Sequence, residues 1–120
     1  MKIKDIAFTG YSVTDIKRAR KFYGEVLGLK ETSVFEADGM AFVEYEIGSG
    51  TLSIGSGAEN FKPGPNGGMV AFEVEDFEAA VAKLKAEKVK VLMDAMDTGA
   101  CHMVIAADPD GNCFMIHKKK

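Results

Sequence analysis

The residues able to do chemistry in this sequence of 120 residues are few and scattered. Glu44 and His117 could act as an acid–base pair, because a carboxylate beside an imidazole raises its pKa and lets it trade a proton near neutrality. Cys101 and Cys113 are the only thiols. No CxxC pair exists and no basic cluster is expected beside either thiol, so each reads first as a small buried hydrophobe and only second as a nucleophile. Ser12, Ser53 and Glu73 offer hydrogen bonds. Of the seven methionines, Met69, Met103 and Met115 fall in strand-like runs, where soft thioethers suit either a flat apolar ligand or a packed interface.

The elements that must position these side chains form an internal repeat. Ser12-Val13-Thr14-Asp15-Ile16 and Glu73-Val74-Glu75-Asp76-Phe77 match at an offset of 61 residues, measured from Asp15 to Asp76. Both segments follow a short apolar run and open an amphipathic helix. Asp15 and Asp76 stand at the N-caps, where a carboxylate accepts from unpaired backbone N–H groups. After Asp15 the apolar residues Ile16, Ala19, Phe22, Tyr23, Val26 and Leu27 recur at helical spacing, and Gly28 supplies the left-handed stop. After Asp76 the series is Phe77, Ala80, Val81 and Leu84, ending at Glu87-Lys88 without a glycine. Three strand-like runs follow each helix, roughly 30–37, 40–47 and 50–55, then 89–95, 100–107 and 112–117.

The fold class expected is α+β, with two βαβββ modules whose curved, mostly antiparallel sheets surround a cup. Module 1 covers about 1–56, a Gly- and Pro-rich linker about 57–67, and module 2 about 68–120, within a single domain. Asp108-Pro109-Asp110-Gly111-Asn112 predicts a tight turn joining the last two strands.

The repeat carries a family resemblance over nearly the whole chain. Val13-Thr14-Asp15 followed by Phe22-Tyr23-Gly24-Glu25-Val26-Leu27-Gly28-Leu29, then Phe72-Glu73-Val74-Glu75-Asp76, then Asp108-Pro109-Asp110-Gly111-Asn112, resemble the signatures of the vicinal-oxygen-chelate superfamily (glyoxalases, bleomycin-resistance proteins and dioxygenases). The resemblance implies a homodimer and a cup holding a divalent metal on His, Gln or Glu at four positions. Those positions correspond here to Phe8, Ser53, Met69 and Met115, and none is such a ligand. A benzyl ring, a hydroxyl and two thioethers do not make a divalent site. The expectation is therefore no metal and no cofactor.

Strand alternation then lists the cup lining. Phe8 brings Ser12 with it; Val43, Tyr45 and Ile47 take the packed face, which turns Phe42, Glu44 and Glu46 to the cup. Met69 brings Glu73, and Met115 brings Cys113 and His117. If Gly111 is the left-handed residue of a three-residue loop, Met103 faces His117, Ile105 faces Met115, and Cys101 shares their face. A four-residue loop would place His102 there instead, since a one-residue slip flips every side chain. The turn chemistry favours the first register.

Charge and composition narrow the partners. A net charge of -3 and pI near 5.4 argue against nucleic acid and anionic membranes. There is no membrane-length apolar run, and the thiol count suits a cytoplasmic protein. Three functions fit, in this order. The first is a metal-independent binding protein for an aromatic or cationic small molecule, with Phe8, Ser12, Phe42, Ser53, Met69, Glu73, Met103 and Met115 as ligand contacts. The second is a lyase or isomerase using Glu44, His117 and Cys101. The third is a structural or regulatory dimer module.

Overall fold

The computed structural model describes residues 1–120 apart from 3, 5, 60 and 61. Positions 60 and 61 of the expected linker thus lie outside the described residues. The chain divides into Met1–Pro63 and Gly64–Lys120, here modules 1 and 2.

Module 1 runs β1 (Thr9–Ser12), α1 (Ile16–Lys21), a π-helical turn (Phe22–Val26), β2 (Glu31–Ala37), β3 (Met40–Ile47) and β4 (Gly50–Ser56). Its sheet has the order β1-β4-β3-β2, with β1 parallel to β4 and the other pairs antiparallel. Asp38 and Gly39 both have positive φ (54° and 76°), the two-residue turn that best matches strand twist. Asp15 caps α1 by accepting from the Arg18 N–H at 3.1 Å. The helix does not finish as α, as its spacing predicts. Leu27 N–H reaches Phe22 O, five residues back, at 3.1 Å, and Leu29 N–H reaches Tyr23 O at 3.0 Å around Gly28, φ 72°. This wider turn keeps Phe22 and Tyr23 both buried.

The core of module 1 lies between α1 and one face of its sheet. Ala19, Phe22 and Tyr23 pack on Tyr11, Val13, Val43, Tyr45, Leu52 and Ile54, all buried. The Tyr23 ring centre is 6.4 Å from Tyr11 and 6.1 Å from Tyr45, with Phe22 edge-on at 5.2 Å. Arg20 clasps Glu31 through two N–H donors at 2.7 Å each, tying α1 to the start of β2. That bond holds the Glu31 carboxyl below the usual carboxylate range and pushes the Arg20 guanidinium up. The Tyr45 hydroxyl is buried with no hydrogen-bond partner among the described residues. Burial, then the nearby Glu31 charge, pushes its pKa up to about 12.

Module 2 repeats the plan: β5 (Val70–Glu73), α2 (Phe77–Ala86), β6 (Lys90–Asp97), β7 (Cys101–Ala107) and β8 (Cys113–Lys119), in the order β5-β8-β7-β6 with β5 parallel to β8. Asp76 caps α2 through the Ala79 N–H at 3.0 Å. Leu84 of the helix, Val104 and Ala106 of β7, and Phe114 and Ile116 of β8 form the buried core, with Phe72 edge-on to Phe114 at 6.0 Å. β6 is irregular, with register shifts between Val91, Met93 and Met96. Among the described residues no helix is long and apolar enough to cross a membrane.

Two substitutions test these local arguments. Lys88 closes α2 at φ 56°, a conformation that suits glycine. Lys88→Gly should therefore raise stability by roughly 0.5–1 kcal/mol in urea unfolding. Tyr45→Phe removes an unsatisfied buried hydroxyl while keeping the ring, so stability should stay level or rise by about 1 kcal/mol.

Candidate functional site

In each module the helix covers one sheet face and leaves the other without a helix. The turn between β7 and β8 determines which side chains of module 2 stand on that second face. Asp108 Oδ1 accepts from the N–H groups of Asp110 (2.9 Å) and Asn112 (2.8 Å), and Oδ2 accepts from Asn112 Nδ2 (2.9 Å). Asn112 Oδ1 accepts from Gly64 N–H at 3.0 Å. Asp108 N–H bonds to Asn112 O at 2.9 Å, with Gly111 at φ 85° between them. This is the three-residue loop, and the ladder follows from it: Met103 opposite His117, Ile105 opposite Met115, Cys101 opposite Lys119. His102 lies on the helix side, its ring 5.5 Å from that of Phe77.

The open face of module 2 thus carries Met103, Ile105, Met115, Cys101, Cys113 and His117, all half-buried. Met69 precedes β5 and is exposed. Parallel pairing of β5 with β8 sets Glu73 beside His117. Glu73 Oε1 and His117 Nδ1 stand 2.5 Å apart, and Glu73 Oε2 accepts from the Lys119 N–H at 2.8 Å. An ionised carboxylate only accepts, so Nδ1 carries the proton that it shares with Glu73. Nε2 has no partner among the described residues and is the ring atom left for a ligand. The bond from His117, then that from the Lys119 N–H, holds the Glu73 carboxyl below the usual carboxylate range.

The other expected residues fall as follows. Cys101 Sγ lies 3.2 Å from Thr98 Oγ1, and Cys113 Sγ points at Pro65 O at 3.7 Å. Neither cysteine is in a disulfide. In module 1 Gly10 pairs with Ser53, Ser12 with Gly55, and Glu44 with Ser53. Ser12 and Ser53 are buried, Glu44 and Phe42 half-buried, and Phe8 is exposed. The Phe42 ring lies across Gly55, where an added Cβ would meet it at 2.7 Å. The carboxylate that engages His117 is Glu73 of the same module, whereas sequence reasoning offered Glu44 for that role. Glu73 lies 44 residues from His117 along the chain, and only the pairing of β5 with β8 brings the two together.

Residues 5–116 match the Glyoxalase/Bleomycin resistance protein/Dioxygenase superfamily. The chain belongs to this superfamily. Solved structures of the same fold include the antibiotic-binding protein TnmS3 from Streptomyces sp. CB03234, at 20% identity and TM-score 0.80, covering 100% of this chain and 99% of that one. The fosfomycin resistance protein FosX from Listeria monocytogenes is similar at 15% identity and TM-score 0.78, with 99% and 96% covered. A glyoxalase/dioxygenase from Nostoc punctiforme aligns at 20% identity and TM-score 0.78, with 98% and 92% covered. None of the curated proteins matches the sequence significantly.

The superfamily's divalent metal does not fit the residues that occupy its positions. Phe8 offers no donor, Ser53 a buried hydroxyl, and Met69 and Met115 only thioethers, which are poor partners for hard or borderline cations. Among the described residues, no three His, Cys, Asp or Glu side chains gather to replace them.

The bond between Glu73 and His117 has a pH signature. A carboxylate whose pKa is depressed in the folded chain contributes stability above its unfolded value and loses it as pH falls through the folded value. In a carboxyl 13C NMR titration, Glu73 should titrate below the usual range. His117→Ala should move that midpoint upward, and Glu73→Gln should flatten the acid side of the stability curve.

Proposed function

We propose that this chain is a binding protein of its superfamily, seating a small organic ligand with an apolar body and one cationic or hydrogen-bond-donating group. The observation that carries this reading is the open face of module 2, where Met103, Ile105 and Met115 surround a fixed Glu73–His117 pair. Thioethers and a branched hydrocarbon accommodate a flat ring, and Met side chains re-pack at little cost. Glu73 and the acceptor Nε2 give the face one negative, accepting pole, which selects donors and cations. The antibiotic binding named for TnmS3 supports a small-molecule ligand. Met69 is the further contact of this reading on module 2; on module 1, taken by itself, Phe8, Ser12, Phe42 and Ser53 are the corresponding candidates. A homodimer belongs to it too, supported by the exposed Phe8, Phe35 and Leu92, and so does a cytoplasmic setting, which keeps both thiols reduced.

A second reading rests on the same pair. An imidazole held by a carboxylate on Nδ1, with Nε2 unengaged, is the arrangement of an oriented general base. A lyase or isomerase could use it, with Cys101 of the same module as a further group. Incubating the bound compound with the protein and weighing it by mass spectrometry separates the two readings, since a binding protein returns it unchanged.

A thermal-shift and calorimetric screen of aromatic cations, against neutral molecules of the same shape, tests the first reading. The cations should bind more tightly. Glu73→Gln should cost about 10- to 100-fold in affinity for them, the value of a charge-assisted hydrogen bond, and much less for the neutral set. Equal binding of both sets, or Ni, Zn, Fe or Mn retained stoichiometrically through dialysis, would overturn it.

A further inference from the structure

The helix-free face of module 2 carries a row of donors across all four strands. Met96 of β6 pairs with Met103 of β7, Met103 with His117 of β8, and His117 with Glu73 of β5. Residues paired directly across a ladder share a face, so these four side chains rise from one side of the sheet. The bulge in β6 is what delivers Met96: three steps there, Met93 to Met96, span the stretch that Met103 to Ile105 covers in two. Met115 follows on the same face as His117, opposite Ile105.

We infer that Met96, Met103 and His117 form a binding site for a soft monovalent metal ion, Cu(I) or its analogue Ag(I). Thioether sulfur selects soft cations and discriminates against Zn(II), Ni(II) and Mg(II). The imidazole is prepared as a ligand, because a carboxylate on Nδ1 fixes the ring and leaves the Nε2 lone pair to the metal. Glu73 makes that bond at 2.5 Å and is itself anchored by the Lys119 N–H. Adjacent strands lie about 4.8 Å apart, so Met96 and His117 each need to lean about one strand spacing to converge above Met103. Met96 is exposed and has the freedom to do so. Two neutral sulfurs and a neutral imidazole leave the ion's charge to the Glu73 carboxylate. The ion enters and leaves as Cu(I), so no electron moves.

Module 1 shows what the same row becomes without a ligand to hold. Its equivalent runs Phe35, Phe42, Gly55, Ser12, and the Phe42 ring covers the glycine. The row lacks imidazole and thioether, and an aromatic ring closes it. In module 2 the position opposite His117 holds a flexible thioether instead.

The test uses the full chain with Cys101→Ser and Cys113→Ser, so that thiols do not compete, titrated with Ag(I) in chloride-free buffer. One equivalent should shift the Met96 and Met103 methyl resonances and His117 Nε2, leaving Met40 and Met69 in place. Met103→Leu and His117→Gln should each weaken Ag(I) by at least about tenfold, and Glu73→Gln by about 10-fold as an outer-shell partner. Zn(II) and Ni(II) should not displace it, and Cu(I) delivered from a chromogenic chelator should follow Ag(I). Met96 is not among the contacts of the organic ligand proposed above, so Met96→Leu should weaken Ag(I) and leave that ligand's binding unchanged. Loss of metal alone and loss of ligand alone therefore report on different claims. Unchanged Ag(I) affinity in both Met103→Leu and Met96→Leu, or equal shifts at Met40 and Met69, would overturn the site.

Discussion

The turn from Asp108 to Asn112 sets the chemistry of module 2. Its buried carboxylate satisfies two backbone N–H groups and a side-chain amide at once, and the amide oxygen takes a fourth bond from Gly64. With Gly111 in the left-handed position the loop is held at three residues, and a strand ladder admits no intermediate register. One residue more in that loop would exchange the two faces of β7. His102 would leave Phe77 for the open face, and Met103 and Ile105 would be driven against α2. The thioethers and the imidazole share one face because this loop is held by hydrogen bonds at three residues.

The two modules share a topology and divide its uses. Module 1 is rich in aromatic rings on its helix side, where Tyr11, Phe22, Tyr23 and Tyr45 interlock around a π-helical turn. Module 2 has a core of fewer rings, about Phe72 and Phe114, and Met103, Met115, Cys101, Cys113 and the Glu73–His117 pair lie on the opposite face. The repeat offset relates Ser12 to Glu73, and strand pairing relates Gly55 to His117. A glycine that admits a phenyl ring in one copy is thus an imidazole held by a carboxylate in the other. A duplicated frame allows this, since losing one module's site leaves the other's geometry intact.

Much of the frame was legible from local signals. Asp15 and Asp76 cap the helices, Gly28 and Gly111 take positive φ, and the six longer strands fall within a few residues of their expected places. Each rests on interactions a few residues apart. The β7–β8 register was legible too, because turn chemistry decides it. What could not be read was pairing across distance. Glu73 meets His117 only through the parallel contact of β5 and β8, and the α2 segment between β5 and β6 hides that register. Periodicity offered Glu44, Glu46 and Glu73 alike to the cup face, and nothing local told which of them meets His117. The bulge in β6 broke alternation in the same way, so nothing local placed Met96 opposite Met103.

The departure from the family's metal positions follows the same physical logic. A divalent ion demands several oxygen or nitrogen donors in fixed directions, so replacing them by Phe8, Ser53, Met69 and Met115 removes the demand together with the donors. The frame has no need of that ion: each sheet is held by its ladder and by a helix packed on one face, and the described contacts at those four positions are apolar or a single buried hydroxyl. Methionine there tolerates many shapes where histidine and glutamate enforce one geometry. What is directional on the open face of module 2 is the Glu73–His117 bond, which lies two residues along β8 from Met115. On this face a hydrogen bond, rather than a coordination sphere, orients the imidazole, and both proposed ligands, the organic cation and the soft ion, draw on that one bond.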